Sequence, residues 1–184
     1  MSRIVYFGPD KVTRLIEDPD AVTDQPVLRF FLEYWKAKRV GEHLPLPSSF
    51  VPGEVRGNLK WVALIDVVPP EEGDFRYRLV GTCVAEYFLG DGTGKPLREA
   101  FAGVDPEFVK GALHVLRHTC ALRRPVRLTG PSSRWRKVYF PAYDNLYLPY
   151  ATDGEHVDRI VNVFTFDRSS LNGRQLLALE TVIA

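Results

Sequence analysis

The sequence predicts an α+β fold: a five-stranded antiparallel sheet with helices on one face and an N-terminal helix over the other. Three observations carry this expectation. Extended segments fall into two groups, two before and three after a helical stretch, which suits a hairpin, a helical crossover and three returning strands. The strand patterns are apolar on both parities. In "WVALIDVV", Trp61, Ala63, Ile65 and Val67 share one side and Val62, Leu64 and Val68 the other; in "RIVNVFTF", Ile160, Phe164 and Phe166 alternate with Val161 and Val163. A sheet of that kind needs a cover on each face. The crossover helices supply one, and the amphipathic stretch around Phe31 and Trp35, or a second copy of the chain, supplies the other.

Taken in order, "RIVYF" and "VTRLI" read as short extended pieces parted by the Gly8-Pro9 turn. Asp24, with Pro26 just inside, starts a helix, "PVLRFFLEYWKAKRVG", whose Val27, Leu28, Phe31, Leu32 and Trp35 form one apolar face before Gly41 ends it. The proline-broken "LPLPSSFVP" leads through a helical turn over 54–58 into the strand "KWVALIDVV", bounded by Pro69 and Pro70. "EEGD" turns the chain into "FRYRLVGT". Thr82 then caps the helix "CVAEYFLG", "PLREAF" makes a short helix, and Asp105-Pro106 opens a long one that ends before Pro125. "PVRLTG", "RKVYFPAYDNLYLPYA" and "RIVNVFTFDR" are the last extended segments, the final two joined by "TDGE".

Composition bounds the function. A chain of 184 residues with 45% hydrophobic content buries one substantial core, and the longest apolar run falls far short of a membrane span, so a cytoplasmic location is expected. Cys83 and Cys120 lack CxxC spacing and read as core residues. The net charge is +1, yet eight basic residues and no Asp or Glu lie between Phe108 and Tyr143. Two readings of that run compete: a docking surface made by Arg123, Arg124, Arg127, Arg134, Arg136 and Lys137, or a set of cations paired with acidic segments elsewhere.

The stretch "LGDGTGKPL" invites comparison with a phosphate-binding loop. The match fails at both ends, with Leu89 where the first glycine belongs and Pro96 where a hydroxyl should follow the lysine. His114 and His118 have a metal-ligand spacing, but both turn away from the apolar face of the long helix centred on Phe108, Ala112, Val115, Leu116 and Thr119; no metal, haem or other cofactor is expected. Ser132 and Ser133 sit outside any nucleophile elbow, and no catalytic residue is assigned. Arg76 and Arg78 share a parity with Val80 and either hold a carboxylate ligand or, as the favoured reading, lie on the outer face against the N-terminal helix; Tyr77 and Leu79, on the other parity, are the expected pocket walls. Tyr139, Tyr143 and Tyr147 recur at even spacing along one strand and so share a face unless Pro141 introduces a bulge; that face is either aromatic core or a pocket with Asn145 or Asn162 as polar handles.

The runs "LPLPSSFVPGEVRGNLKWVALIDVV", "DFRYRLVGTCVAEYF", "GDGTGKPL" and "LYLPYATDGEHVDRIVNVFTF" together resemble the PAS-like family of bacterial proteins, over about residues 27–168. The resemblance implies five antiparallel strands in two groups separated by helices. It divides the chain into an N-terminal extension over 1–25, a PAS-like domain over 26–168 that includes the flanking helix, and a C-terminal tail or helix over 169–184. It also implies a non-enzymatic sensory or signalling module that binds a small molecule between sheet and helices and dimerises. The expected ligand-binding set is Tyr77, Leu79, Thr82, Tyr87, Leu116, Tyr143 and Asn162. The expected partners are an unidentified small molecule, a signalling protein docked on the basic segment and a second copy of the chain, with neither membrane nor nucleic acid among them. The alternatives are a small-molecule enzyme using the concave sheet, for which the sequence offers Asp66, Asp144 and the outward-facing His114 and His118, and an anion or nucleic-acid binder using the basic 117–137 segment.

Overall fold

The computed structural model describes residues 4–7, 13–17, 25–70, 74–86, 90–103, 106–130, 133–135, 138–140 and 143–166. In chain order the elements are β1 (Ile4–Phe7), β2 (Thr13–Ile16), α1 (Pro26–Lys38), two 3-10 segments (Pro47–Ser49 and Pro52–Trp61), β3 (Val62–Val67), β4 (Phe75–Val80), α2 (Thr82–Val84), α3 (Leu97–Ala100), α4 (Pro106–Leu122), β5 (Val126–Gly130), β6 (Ser133–Trp135), β7 (Val138–Phe140), β8 (Tyr143–Tyr150) and β9 (Arg159–Phe166).

The five strands anticipated from the two groups form one contiguous antiparallel sheet, β5-β8-β9-β3-β4, so the α+β class stands. The N-terminal pieces add to it. β2 pairs with β5 and β1 with β2, which extends the sheet to seven strands. Without β2, β5 would be an edge strand presenting unpaired backbone groups.

The two-sided strand pattern becomes two cores. Ala63, Ile65, Tyr77, Tyr147, Ile160 and Phe164 pack with Cys83, Val84, Leu97, Phe101, Leu113 and Leu116 from α2, α3, α4 and their flanks. Val62, Leu64, Leu146, Leu148, Val161 and Val163 pack on the opposite face with Leu28, Phe31, Leu32 and Trp35 of α1 and with Phe50 and Val55. A hydrogen bond fastens α1 to the sheet: Trp35 Nε1–H donates to the carbonyl of Pro149 at 2.7 Å. The geometry explains how β8 tolerates a proline. β5 stops pairing at Tyr147, so the edge of β8 near Pro149 has no partner strand to miss an N–H, and its carbonyl is open to the indole.

Two local features depart from the sequence reading. "RKVYFPAYDNLYLPYA" is two strands rather than one, since β7 pairs with β6 in a separate two-stranded ribbon while β8 joins the main sheet. Tyr139 therefore does not continue the line of Tyr143 and Tyr147. The pairing of β3 with β4 also slips by one residue, from Leu64↔Leu79 to Ile65↔Tyr77, so that Arg78 is the extra residue of a bulge. Tyr77 joins the core under α4 whereas Leu79 packs on the α1 side. The two side chains that strict alternation places together thus lie on opposite faces.

The glycine-rich loop has a definite task at the free edge of β4. Gly94 N–H donates to the Tyr77 carbonyl at 2.7 Å, Tyr77 N–H donates to the Lys95 carbonyl at 3.0 Å, and Val80 N–H donates to Thr93 Oγ1 at 3.1 Å. Arg76 Nη1 adds a bond to the Gly94 carbonyl at 3.3 Å. Gly94 runs at φ 80°, and a Cβ on Gly92 would stand 3.3 Å from both Ala100 Cβ and the Tyr77 ring. The glycines let the loop lie flat along the strand and saturate its backbone.

Candidate functional site

The side of the sheet beneath α4 carries polar groups within an apolar surround. Register places Tyr147 opposite Asn162 and Asn145 opposite Phe164 on β8 and β9, and Tyr77 approaches from β4. Asn145, Asn162 and Tyr77 are 6%, 2% and 2% exposed. Leu116 and Phe101 join the same core cluster from the helical layer, with the Tyr77 and Phe101 rings edge to face at 6.4 Å. Burial, and secondarily the neighbouring Tyr147, pushes the Tyr77 phenol far above its ordinary range, so it stays neutral. Thr119, wholly buried on α4, returns its hydroxyl to the Val115 carbonyl at 2.8 Å.

Asn162 spends its amide within the sheet, Nδ2 donating to the Leu146 carbonyl at 3.2 Å. Asn145 differs. Its Oδ1 is buried and accepts no hydrogen bond among the described residues. A buried acceptor left unpaired costs about 1–3 kcal/mol. The arrangement offers one strong acceptor amid aromatic and aliphatic walls, which suits a neutral, largely apolar molecule bearing an N–H or O–H group.

Of the sequence-derived ligand set, Tyr77, Leu116 and Asn162 come together on this face. Leu79 lies across the sheet, and Thr82 is exposed at the start of α2. Tyr143 opens β8 opposite Gly130 and Phe166, and Tyr87 lies outside the described residues. Asn145 and Tyr147 complete the site. The sequence signal for them was the even spacing of Tyr143, Asn145 and Tyr147 along one strand.

The carboxylates available for catalysis occupy the other face. Asp66 lies between two arginines, with Arg78 Nε at 2.9 Å from one oxygen and Arg159 Nε at 2.9 Å from the other. Asp144 takes a two-pronged pair from Arg127, Nε to Oδ1 at 2.8 Å and Nη2 to Oδ2 at 3.0 Å. Arg78 is thus paired with Asp66, and Arg127 is engaged inside the fold. Arg123, at φ 56° just past α4, and Arg124 are exposed. Arg134 lies in β6, and Arg136 and Lys137 fall outside the described residues.

The two helix histidines, both expected to point to solvent, differ, since His118 is half-buried against Glu17. His114 is exposed, and partial burial with the neighbouring His118 and Arg117 lowers its proton affinity. His118 Nε2 meets Glu17 Oε1 at 2.8 Å, tying α4 to the end of β2. Burial pushes the Cys120 thiol up to about 11. Iodoacetamide at pH 8 should therefore modify Cys120 roughly a hundredfold more slowly than the unfolded chain, because the thiolate is the nucleophile. Peptide-resolved mass spectrometry checks this; equal rates in native and denatured protein would show the thiol to be accessible and ionised.

A family model described as "PAS domain" matches residues 23–165. Among solved structures, the chain is similar to one described as "Structure of an RNA-binding Light-Oxygen-Voltage Receptor", with 15% identity and a TM-score of 0.45 over 75% of this chain and 39% of that one. This chain thus spans well under half the length of that receptor. No curated protein matches it. No helix among the described residues is long and apolar enough to cross a membrane. Since the family model spans residues 23–165, most of the sequence, the chain belongs to the PAS domain family.

Proposed function

We propose that this protein is a non-enzymatic sensory module that takes a small molecule between its sheet and α4 and reports occupancy to a partner protein in the cytoplasm. The observation that carries the reading is the buried, unpaired Oδ1 of Asn145 on the face shared with Tyr77, Tyr147 and Asn162. A ligand donating one hydrogen bond there would recover the cost of that acceptor. The placement of both candidate acids supports a binding role over catalysis, since Asp66 and Asp144 are held by arginines on the other face. Output through a docked protein is supported by the exposed Arg123 and Arg124. Self-association is supported by the exposed Phe30, Leu46 and Val51, of which Phe30 stacks on Tyr34 and Val51 hydrogen-bonds to the Tyr34 hydroxyl.

Asn145→Leu separates this reading from a purely structural one. Removal of an unpaired acceptor should leave the empty protein as stable as before or raise its stability by about 1 kcal/mol, while ligand retention is lost. Native mass spectrometry of protein purified from its own host reads both bound mass and oligomeric state, and thermal unfolding reads stability. A bound mass that survives Asn145→Leu would remove the proposed handle. An empty, monomeric wild-type protein would count against the sensory reading as a whole.

A further inference from the structure

A second candidate binding site lies on the outside of the helical layer, away from the face that carries Asn145. An open cleft of about 390 Å³ is lined by Arg98 of α3 and by Pro106, Val109, Lys110, Leu113 and Arg117 of α4. The α4 members recur at one-turn spacing, so a single stripe of the helix forms one wall. Val109 and Leu113 make an apolar floor continuous with the core, and three cationic side chains stand around it. Arg117 is braced by the carboxylate of Asp74, which fixes its position at one end. At the other end Pro106 begins a helix of 17 residues, the positive end of its dipole. Beyond Glu107 the helix contains no acidic residue.

We infer that this cleft binds a small organic anion, with a phosphate or carboxylate head among Arg98, Lys110 and Arg117 and a compact apolar body on Val109 and Leu113. Size favours a small molecule over a peptide, because about 390 Å³ is near the lower end of small-ligand pockets, roughly 300–1,000 Å³. Thr119, on the inward stripe of α4, takes no part in the cleft, and buried Leu113 is the floor that the cleft shares with the core.

Phenyl phosphate is a suitable probe, followed by amide chemical shifts of the isotopically labelled full chain. Saturable shifts are expected at Val109, Lys110 and Leu113. Phenol and inorganic phosphate should each bind at least tenfold more weakly, as should phenyl phosphate to Arg98→Glu and to Lys110→Glu, whereas Lys110→Arg should retain binding. Both positions are exposed, so these variants retain the fold. Absence of saturation at millimolar probe, affinity unchanged by charge reversal, or inorganic phosphate binding as tightly as phenyl phosphate would overturn the inference. Shifts centred on Asn145 and Asn162 would also overturn it, by placing the probe at the inner face.

Discussion

Gly81→Ala should lower the unfolding free energy by about 3 kcal/mol or more, a cost at the upper end for adding a single methyl group. Gly81 has an ordinary extended backbone, φ −64° and ψ 151°, so no left-handed strain is involved. The cost is contact. A Cβ would stand 2.5 Å from the Leu59 carbonyl oxygen and 2.6 Å from that of Lys60, both backbone atoms that cannot rotate aside. Gly81 is also pinned from both sides, its N–H donating to the Val62 carbonyl at 2.8 Å and its carbonyl accepting from Ala85 N–H at 2.9 Å. Relief would have to come from parting β4 and α2 from the 3-10 segment before β3, which opens one end of the layer over the proposed ligand. Gly94→Ala is the control. It has open space around its Cβ position but φ 80°, so it should cost only about 1 kcal/mol. Urea unfolding of the two variants decides the matter, and midpoints within experimental error of each other would refute close backbone contact at Gly81.

Much of this architecture was legible because strand alternation is a local signal. Val62 and Leu64 facing one way and Ala63 and Ile65 the other announced two buried faces, and the structure fills them with two separate cores. The helical face of α4 was equally readable, down to Leu116 and Thr119 inside and His114 outside. What escaped depended on pairing across distance. The bulge at Arg78 is set by how β3 and β4 meet, and nothing within "FRYRLVGT" marks it; hence strict alternation places Leu79 on the face opposite to the one it occupies. The loop around Gly92 resembled an anion cradle because glycine serves any close backbone approach, and only the neighbouring edge of β4 shows which one. The separation of β6 and β7 from β8 had no signal beyond Pro141, which suggested a bulge rather than an end. Charge was the least legible property: a run of cations in sequence is no surface until the positions of the acids are known.

Arg127 makes that point measurable. Its side chain and that of Asp144 are 16% and 11% exposed, and their two parallel hydrogen bonds lie on the α1 side of the sheet. Arg127→Ala takes the paired guanidinium from the carboxylate of Asp144 in a site largely closed to water, a change expected to cost about 3–5 kcal/mol. Arg124→Ala, at an exposed position two residues beyond the end of α4, should stay within about 0.5 kcal/mol of wild type. Replacing both members of the pair, Arg127→Met with Asp144→Leu, removes the uncompensated charge and should recover most of the loss, so a double-mutant cycle reads the coupling directly. Equal stability of Arg127→Ala and Arg124→Ala would show that the pair contributes nothing to the fold and would return Arg127 to the docking surface. The predicted asymmetry has a consequence for mapping a partner: loss of binding in Arg127→Ala would report unfolding of β5 against β8, whereas loss in Arg123→Glu or Arg124→Glu, with the melting transition intact, would report the interface itself.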